Sequence, residues 1–189
     1  DSSTSRGLGD VYKRQGYIVL QSEKLLRKEP YCLLSGYSNV NEAFHQTGSS
    51  PEGNGPFWSM TEAIAKSEIP PEEIDYINVH GTGTPSNDLS EGLAIRRIFG
   101  DKIPPFSSVK AFIGHTLGAS EGIEAVYSVL SVYHGFIYPN LNFKEPIEEN
   151  MLMPETSFRE GLPIRNVLSN SFGFGGNDSS ILFSTLREK

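Results

Sequence analysis

The chain has 189 residues, of which 37% are hydrophobic and 21% charged, so it is long enough to bury the core of one ordinary domain. Its formal net charge of −7 disfavours nucleic acid as a partner, and no apolar run approaches the roughly 20 residues that a membrane span needs. The single cysteine, Cys32, excludes an internal disulfide framework and favours a reducing compartment such as the cytoplasm.

The first 15 residues differ in character from the rest of the chain. They contain Ser, Arg and Gly but lack the apolar core of a secretory signal. We therefore expect residues 1–15 to be a leader outside the fold, such as a cloning or assembly scar, and residues 16–189 to form the domain.

Six short runs rich in β-branched and aromatic residues predict strands. They are Gly16–Leu20, Tyr31–Gly36, Ile74–Val79, Phe106–Val109, Val167–Ser171 and Ser180–Thr185. Cys32 lies in the second run, without the small-residue turn that would expose a nucleophile. We interpret it as an inert thiol that behaves as a small hydrophobic side chain.

Three predicted helices alternate with these strands. The first begins at a capping box, Ser59–Glu62, and ends near Ser67; the second runs from about Asp88 to Gly100, and the third starts near Gly118. This alternation predicts an α/β fold with a mixed sheet covered on both faces, and the acidic stretch 145–155 predicts a surface loop. The expected inward-facing side chains are Leu89, Leu93 and Ile98 in the second helix and Ile123, Val126, Tyr127, Leu130 and His134 in the third.

Three turns rich in small residues follow predicted strands. Residues 80–84 read His-Gly-Thr-Gly-Thr, residues 114–119 read Gly-His-Thr-Leu-Gly-Ala, and residues 170–176 read Asn-Ser-Phe-Gly-Phe-Gly-Gly. Small residues let a ligand or a second backbone approach closely. One histidine after a strand is more often structural than catalytic, but three such turns in one short chain indicate a single active site.

Together with Ser108-Val109-Lys110, these motifs resemble the β-ketoacyl-acyl carrier protein synthases, the condensing enzymes of the thiolase-like superfamily. The resemblance extends from about residue 16 to the end of the chain. It implies an α/β, thiolase-like C-terminal half, with a mixed five-stranded sheet covered by helices on both faces. The family's nucleophilic cysteine belongs to the N-terminal half, so the resemblance implies a fragment that is inactive in condensation alone.

The resemblance implies a decarboxylative Claisen condensation of an acyl thioester with malonyl-acyl carrier protein, in fatty acid or type II polyketide synthesis. It implies no metal and no bound cofactor, since the phosphopantetheine arm arrives on the carrier protein. The catalytic residues it assigns are His80, His115, Lys110, Glu124 and Phe174, and the substrate-binding residues are Thr82, Thr84, Phe172 and Gly175.

The position of His115 has a chemical consequence that can be expected from the sequence. It lies just before a predicted helix N-terminus, where the positive end of the helix dipole favours a neutral imidazole. A neutral ring still donates one hydrogen bond, and a second donor from His80 would give two convergent N–H groups for a developing enolate oxygen.

The partners implied by the resemblance are an acyl carrier protein, the N-terminal half of the same enzyme and a second subunit in a homodimer. Acyl carrier proteins are acidic, and this chain is acidic too, so docking requires a local basic patch. The candidate residues are Arg96, Arg97, Lys102 and Arg165.

Two departures from the family pattern stand out. Glu121 occupies a position where a small residue is usual, and residues 177–180 read Asn-Asp-Ser-Ser where Thr-Asn is usual, which alters the hydrogen bonds behind the turn of Phe174. The chain also lacks the Asn-Ala-His tail of modular polyketide synthases, which favours a free-standing enzyme.

Two alternative functions were weighed against a condensing enzyme. A thiolase would need a second cysteine in a Cys-Gly turn, and the chain has only Cys32. A noncatalytic subunit or dimerisation scaffold stays open, although such a scaffold has no need for the two histidines.

Overall fold

The structure is a computed structural model that describes residues 15–186, so residues 1–14 of the expected leader lie outside the described part. Its strands are β1 (Leu33–Asn41), β2 (Tyr76–Asn78), β3 (Phe106–Ser107), β4 (Asn166–Gly173) and β5 (Asn177–Ser184). Its α-helices are α1 (Asn54–Ser67), α2 (Pro85–Phe99), α3 (Lys110–Ile113) and α4 (Ser120–His134). Short 3-10 turns lie at Glu23–Leu25, Pro71–Glu73 and Leu117–Ala119.

The five strands form one mixed sheet in the order β1-β5-β4-β2-β3. Strand β1 pairs with β5 and β5 with β4 in antiparallel fashion, whereas β2 is parallel to both β4 and β3. The prediction of a mixed five-stranded sheet is confirmed. Because β2, β3 and β4 run in the same direction, the segments that follow them leave the sheet at the same edge.

Two apolar clusters cover the two faces of the sheet. Neighbouring strand residues point to opposite faces, and Ile77, Leu168 and Leu182 pack with α1 and α2, whereas Tyr76, Val167 and Phe183 pack with α4. Helices on both faces therefore bury the sheet, as the alternation of elements predicts.

The predicted strand Gly16–Leu20 is wrong. This segment has no regular structure, and Tyr17 and Val19 are 80% and 91% exposed. An apolar run becomes a strand only where a neighbour satisfies its backbone groups, and none of residues 15–186 pairs with it. The strand expected at Tyr31–Gly36 instead begins at Leu33, so Cys32 lies just before β1.

Two helix starts were placed too late by the sequence patterns. Helix α1 begins at Asn54, and the supposed capping residue Ser59 lies inside it, where its hydroxyl donates to the Pro56 carbonyl. Pro56 is compatible with the first turn because the first N–H groups of a helix have no intrahelical partner. Helix α2 likewise begins at Pro85, the favoured position for proline.

Helices α2 and α4 bury smaller side chains than expected. Leu89, Leu93 and Ile98 of α2 are only half-buried, and so are the large apolar residues expected to face inward from α4, whose His134 is exposed. The buried side of each helix instead carries mainly small or polar residues. The buried residues are Ser90, Glu91, Gly92, Ala94 and Ile95 in α2 and Ser120, Glu124, Ala125, Ser128, Ser131 and Val132 in α4.

The stretch 145–155 contains no helix or strand, as expected for a loop. None of the helices within residues 15–186 is long and apolar enough to cross a membrane.

Close packing of β1 on α1 requires a glycine at position 36. A Cβ atom there would lie 2.1 Å from the Ala63 carbonyl oxygen. We expect Gly36→Ala to lower the free energy of unfolding by about 1–3 kcal/mol, because the backbone of α1 must shift. The matched control is Gly122→Ala in α4, whose Cβ would make only an ordinary 3.4 Å contact and which should be neutral or stabilising by up to about 1 kcal/mol. Urea unfolding measures both; equal losses would contradict the close approach.

Candidate active site

The three glycine-rich turns meet because of strand register. Asn78 of β2 pairs with Ser107 of β3 on one side and with Ser169 of β4 on the other. The residues that follow these three positions therefore emerge side by side at the carboxyl ends of parallel strands. This register brings the turns of His80, Lys110 and Phe172 to one site.

A buried ammonium group lies at the centre of this site. Lys110 is 7% exposed, and its Nζ lies 3.2 Å from Nδ1 of His80 and donates a hydrogen bond to Oε1 of Glu124. Glu124, on α4, is 1% exposed and also accepts a hydrogen bond of 3.1 Å from the Ser120 hydroxyl. Lys110 thus links the β3 turn to α4 and to the β2 turn.

The two histidine rings lie edge to face, with centroids 5.4 Å apart and planes at 84°. The backbone N–H of Leu117 donates to Nδ1 of His115 at 3.3 Å, and the Lys110 ammonium donates to Nδ1 of His80. A neutral imidazole whose Nδ1 accepts a hydrogen bond carries its proton on Nε2. Both rings therefore present an Nε2–H donor.

The surroundings keep both rings neutral. Burial, followed by the charges of Lys110 and His115, lowers the pKa of His80 to about 2. Burial and then Lys110 lower the pKa of His115. The direction agrees with the expectation for His115, and the causes are burial, first, and the neighbouring ammonium.

The carboxyl group of Glu124 is held in the same low-polarity environment. Burial raises its pKa, and the Lys110 ammonium, which both attracts it and donates to it, opposes that rise. Glu121, one turn earlier on α4, is half-buried, and burial raises its pKa as well. Its charge adds to the rise at Glu124, so this departure from the family pattern acts on the local field.

Glu91, which the sequence patterns did not indicate, shapes the turn of His80. Its two carboxylate oxygens accept hydrogen bonds from the backbone N–H groups of His80 at 2.9 Å and Gly81 at 3.0 Å. Oε1 also accepts from Nδ2 of Asn170 at 3.1 Å. Burial raises the pKa of Glu91 to about 7, against these hydrogen bonds. A lone acid on the sheet side of α2 is the signal that could have identified it.

A cavity of about 520 Å³ opens beside Lys110 and His115. Thr82 lines it, as do Asn140 and Lys144 of the loop that follows α4. The hydroxyl of Thr84 lies 2.8 Å from that of Thr82 and is exposed at the start of α2. The contribution of residues 140–154 to this cavity was not predicted.

The two phenylalanines of the third turn have different surroundings. The Phe172 ring is 7% exposed and lies 5.5 Å from the His80 ring, centroid to centroid. Phe174 is 75% exposed, in the tight turn between β4 and β5. The backbone N–H of Gly175 donates to the Gln46 carbonyl at 2.7 Å, so a neighbouring loop holds this turn in place.

The remaining polar groups fit neither a metal site nor a nucleophile. Residues 15–186 contain no group of three or more His, Cys, Asp or Glu side chains placed to hold a metal ion. Burial raises the pKa of the Cys32 thiol to about 11, so little thiolate forms near neutral pH.

The fold is that of the thiolase-like ketosynthases. The family model "Beta-ketoacyl synthase, C-terminal domain" matches residues 31–144, and the chain belongs to this family. It is 37% identical to the mitochondrial 3-oxoacyl-[acyl-carrier-protein] synthase of Arabidopsis thaliana over 180 residues, which are 90% of this chain and 39% of that protein.

Further relatives share the same part of the molecule. The chain is 39% identical over 161 residues to 3-oxoacyl-[acyl-carrier-protein] synthase 1 of Escherichia coli K12, covering 84% of this chain and 38% of that protein. The chain thus spans about two fifths of the length of these relatives.

Solved structures give the same fold. A type II PKS ketosynthase in complex with its acyl-carrier protein superposes with a TM-score of 0.78 at 30% identity, covering 82% of this chain and 39% of that one. The ketosynthase ApeO of Xenorhabdus doucetiae, in complex with its chain length factor, matches with a TM-score of 0.76 at 35% identity. The match covers 85% of this chain and 40% of that one.

The buried pair of Lys110 and Glu124 can be tested by a double-mutant cycle. Lys110→Met should lower the free energy of unfolding by about 3–5 kcal/mol, because it leaves the Glu124 carboxylate buried without a counter-charge. Adding Glu124→Met should recover most of this loss. The matched control is Lys66→Met, whose partner Glu62 is exposed, and it should change stability little. Additive losses in the cycle would show that the two charges are not coupled.

Proposed function

We propose that this chain supplies the histidine half of the active site of a β-ketoacyl-acyl carrier protein synthase in fatty acid or type II polyketide synthesis. The observation that carries the proposal is that the imidazoles of His80 and His115 are both neutral and lie side by side. In each ring Nδ1 accepts a hydrogen bond and Nε2–H is a donor. Such a pair suits an oxygen on which negative charge develops.

The reaction begins with the malonyl thioester carried by the acyl carrier protein. The bond between the α-carbon and the carboxylate breaks, carbon dioxide leaves, and the electron pair passes to the α-carbon and the thioester oxygen. The Nε2–H donors of His80 and His115 stabilise this enolate. The carbanion then attacks an acyl thioester, and the new carbon–carbon bond forms as the enzyme thiolate leaves.

Three further groups support these steps. Lys110 holds His80 in the required tautomer, Glu124 balances the ammonium charge, and the backbone N–H of Phe174 donates to the oxyanion of the acyl transfer. The hydroxyl groups of Thr82 and Thr84 would contact the phosphopantetheine arm. The walls of the cavity beside Lys110, with Phe172 at the His80 ring and Gly175 in the turn, would complete the substrate contacts.

The nucleophilic cysteine of the proposed enzyme is not Cys32. That thiol has a raised pKa and lies before β1, in contact with the apolar cluster under α4. We propose that the nucleophile comes from an N-terminal half, as the greater length of the relatives supports, and that these 189 residues alone do not condense substrates. The half-buried apolar side of α4 is available for such a half.

The proposed partner is an acyl carrier protein, supported by the ketosynthase complex that shares this fold. Arg96, Arg97 and Lys102 lie together at the end of α2 and just beyond it, whereas Arg165 precedes β4. A homodimer and a reducing, cytoplasmic location complete the proposal. No cofactor other than the carrier-bound phosphopantetheine is needed.

A noncatalytic scaffold is the alternative that the sequence left open. The buried ammonium argues against it, because burying a charge is costly and Lys110 contacts the catalytic-type His80 directly. We therefore favour the catalytic assignment.

The division of labour can be tested in the intact enzyme that contains this chain. His80→Ala and His115→Ala should each slow malonyl decarboxylation on the order of a hundred- to a thousand-fold, the cost of one oxyanion donor. Acyl transfer to the nucleophilic cysteine should persist, because a different turn serves it. Carbon dioxide release and acyl loading are measured separately, with exposed His134→Ala as the control. Loss of both steps in a folded variant would contradict separate roles.

A further inference from the structure

Asp178, at the start of β5, is a buried acid that the proposed mechanism does not use. It is 0% exposed, and neither carboxyl oxygen has a hydrogen-bond partner among residues 15–186. It points toward α1, like Ser180 two residues on, whose hydroxyl lies 3.1 Å from that of Ser59. A buried acid without any donor is unstable as a carboxylate.

A second acid, Glu42, lies beside Asp178. A Cβ atom built on Gly55 would lie 1.8 Å from Oδ2 of Asp178 and 2.9 Å from Oε2 of Glu42, so the two carboxyl groups meet over this glycine. Glu42 is already anchored, because its oxygens accept backbone hydrogen bonds from Ser50 at 3.0 Å and Gly55 at 3.1 Å. A carboxyl group that is buried beside another acid holds its proton more tightly than one in water.

We propose that Asp178 and Glu42 share one proton, with Asp178 as the donor and Glu42 as the acceptor, and that this proton fastens residues 41–50 to the turn between β4 and β5. The protonated carboxyl supplies the one donor that the pair lacks. Asp178 stands where the family pattern given above usually has an asparagine.

The backbone of residues 41–46 carries the effect to the turn. The N–H of Glu42 donates to the Gly176 carbonyl at 2.9 Å, and the side-chain amide of Asn41 donates to the Gly175 carbonyl at 2.8 Å. Loss of the proton would make the carboxylates of Asp178 and Glu42 repel each other. This repulsion would weaken the hydrogen bonds to the Gly175 and Gly176 carbonyls. Asp178 is then a positioning residue for the turn of Phe174, a consequence for catalysis that rests on the proposed function.

Burial and two neighbouring acids determine the pH range in which Asp178 loses its proton. Burial, followed by the charges of Glu42 and Glu91, raises the pKa of Asp178 to about 7. Between the ordinary pKa of an aspartate, about 3.9, and this value, the folded protein binds the proton more tightly than the unfolded chain. The contribution of Asp178 to stability therefore falls as the pH rises through this range and stays constant above it.

Glu91, on α2, titrates in the same pH range and its charge acts on Asp178. A variant of Asp178 is therefore needed to separate the two titrations. Asp178→Asn replaces the carboxyl group beside Glu42 with an amide. The amide donates a hydrogen bond and does not titrate. Asp101→Asn is the matched control, because Asp101 is exposed and distant in the chain from the pair. The purified protein and both variants are compared between about pH 6 and about pH 8, a range that spans the titration.

Two readouts are independent of catalysis. Infrared difference spectra should contain the carbonyl band of the protonated Asp178 carboxyl at the lower pH, beside any band from Glu91, which titrates in the same range. The Asp178 component should be lost in Asp178→Asn and kept in Asp101→Asn. Hydrogen exchange at the amides of Glu42, Ser50, Gly55 and Gly175, corrected for the intrinsic rate, should accelerate with pH by at most roughly tenfold per pH unit, the limit for one proton. In Asp178→Asn this acceleration should be absent.

Glu42→Gln provides a second variant if Asp178→Asn does not fold, and it should also abolish the pH-dependent exchange. The proposal is overturned if Asp178→Asn shows the same infrared carbonyl bands as the unsubstituted protein, if the exchange at these amides keeps its pH dependence there, or if elemental analysis finds a stoichiometric metal ion that Asp178→Asn loses. None of these results depends on whether the protein condenses thioesters.

Discussion

The site depends on the buried ammonium of Lys110. An isolated charge of this kind is expensive to bury, and its cost is offset because one nitrogen contacts both a carboxylate and an imidazole. The same contacts fix which nitrogen of His80 carries the proton, and the positive charge disfavours a second proton on either ring. The tautomer of His80 thus follows from Lys110, and burial together with this ammonium keeps both rings neutral.

The sheet makes this contact possible. Three parallel strands end at one edge, so residues about 30 and 90 positions apart in the chain, represented by the pairs of Asn78 with Ser107 and Ser169, lie next to one another. Helix α4 crosses the same region and contributes Glu124 from its first turns. The antiparallel strands β5 and β1 extend the sheet away from the site and carry the loop that holds the turn of Phe174.

Much of this arrangement could be predicted from the sequence, for physical reasons. Strand runs with β-branched residues and glycine-rich turns are local signals, and five of the six predicted strands are present. The run Gly16–Leu20 has the same composition but no pairing neighbour among the described residues, and composition carries no information about neighbours. The motifs also identified His80, His115, Lys110 and Glu124, which the structure brings together.

The features that the sequence did not predict depend on tertiary contacts. Helix periodicity favoured the largest apolar residues as the buried ones, whereas the buried residues of α2 and α4 are mainly serine, alanine, glycine and glutamate. Glu91 was missed because its only local signal is an acid on the buried side of α2, and its partners, the N–H groups of the His80 turn and the side chain of Asn170, lie on distant segments. The Asp178 substitution was visible as a departure, but its pairing with Glu42 depends on a contact between distant segments.

The central claim is that both imidazoles are neutral and protonated on Nε2. Nitrogen-15 NMR of histidine-labelled protein at neutral pH measures this directly, because the shifts of Nδ1 and Nε2 distinguish the two tautomers and the imidazolium. We expect His80 and His115, assigned by single substitutions, each to show a protonated Nε2 and an unprotonated Nδ1. A protonated Nδ1 on either ring would contradict the account, since Lys110 and the Leu117 N–H could not then donate to it.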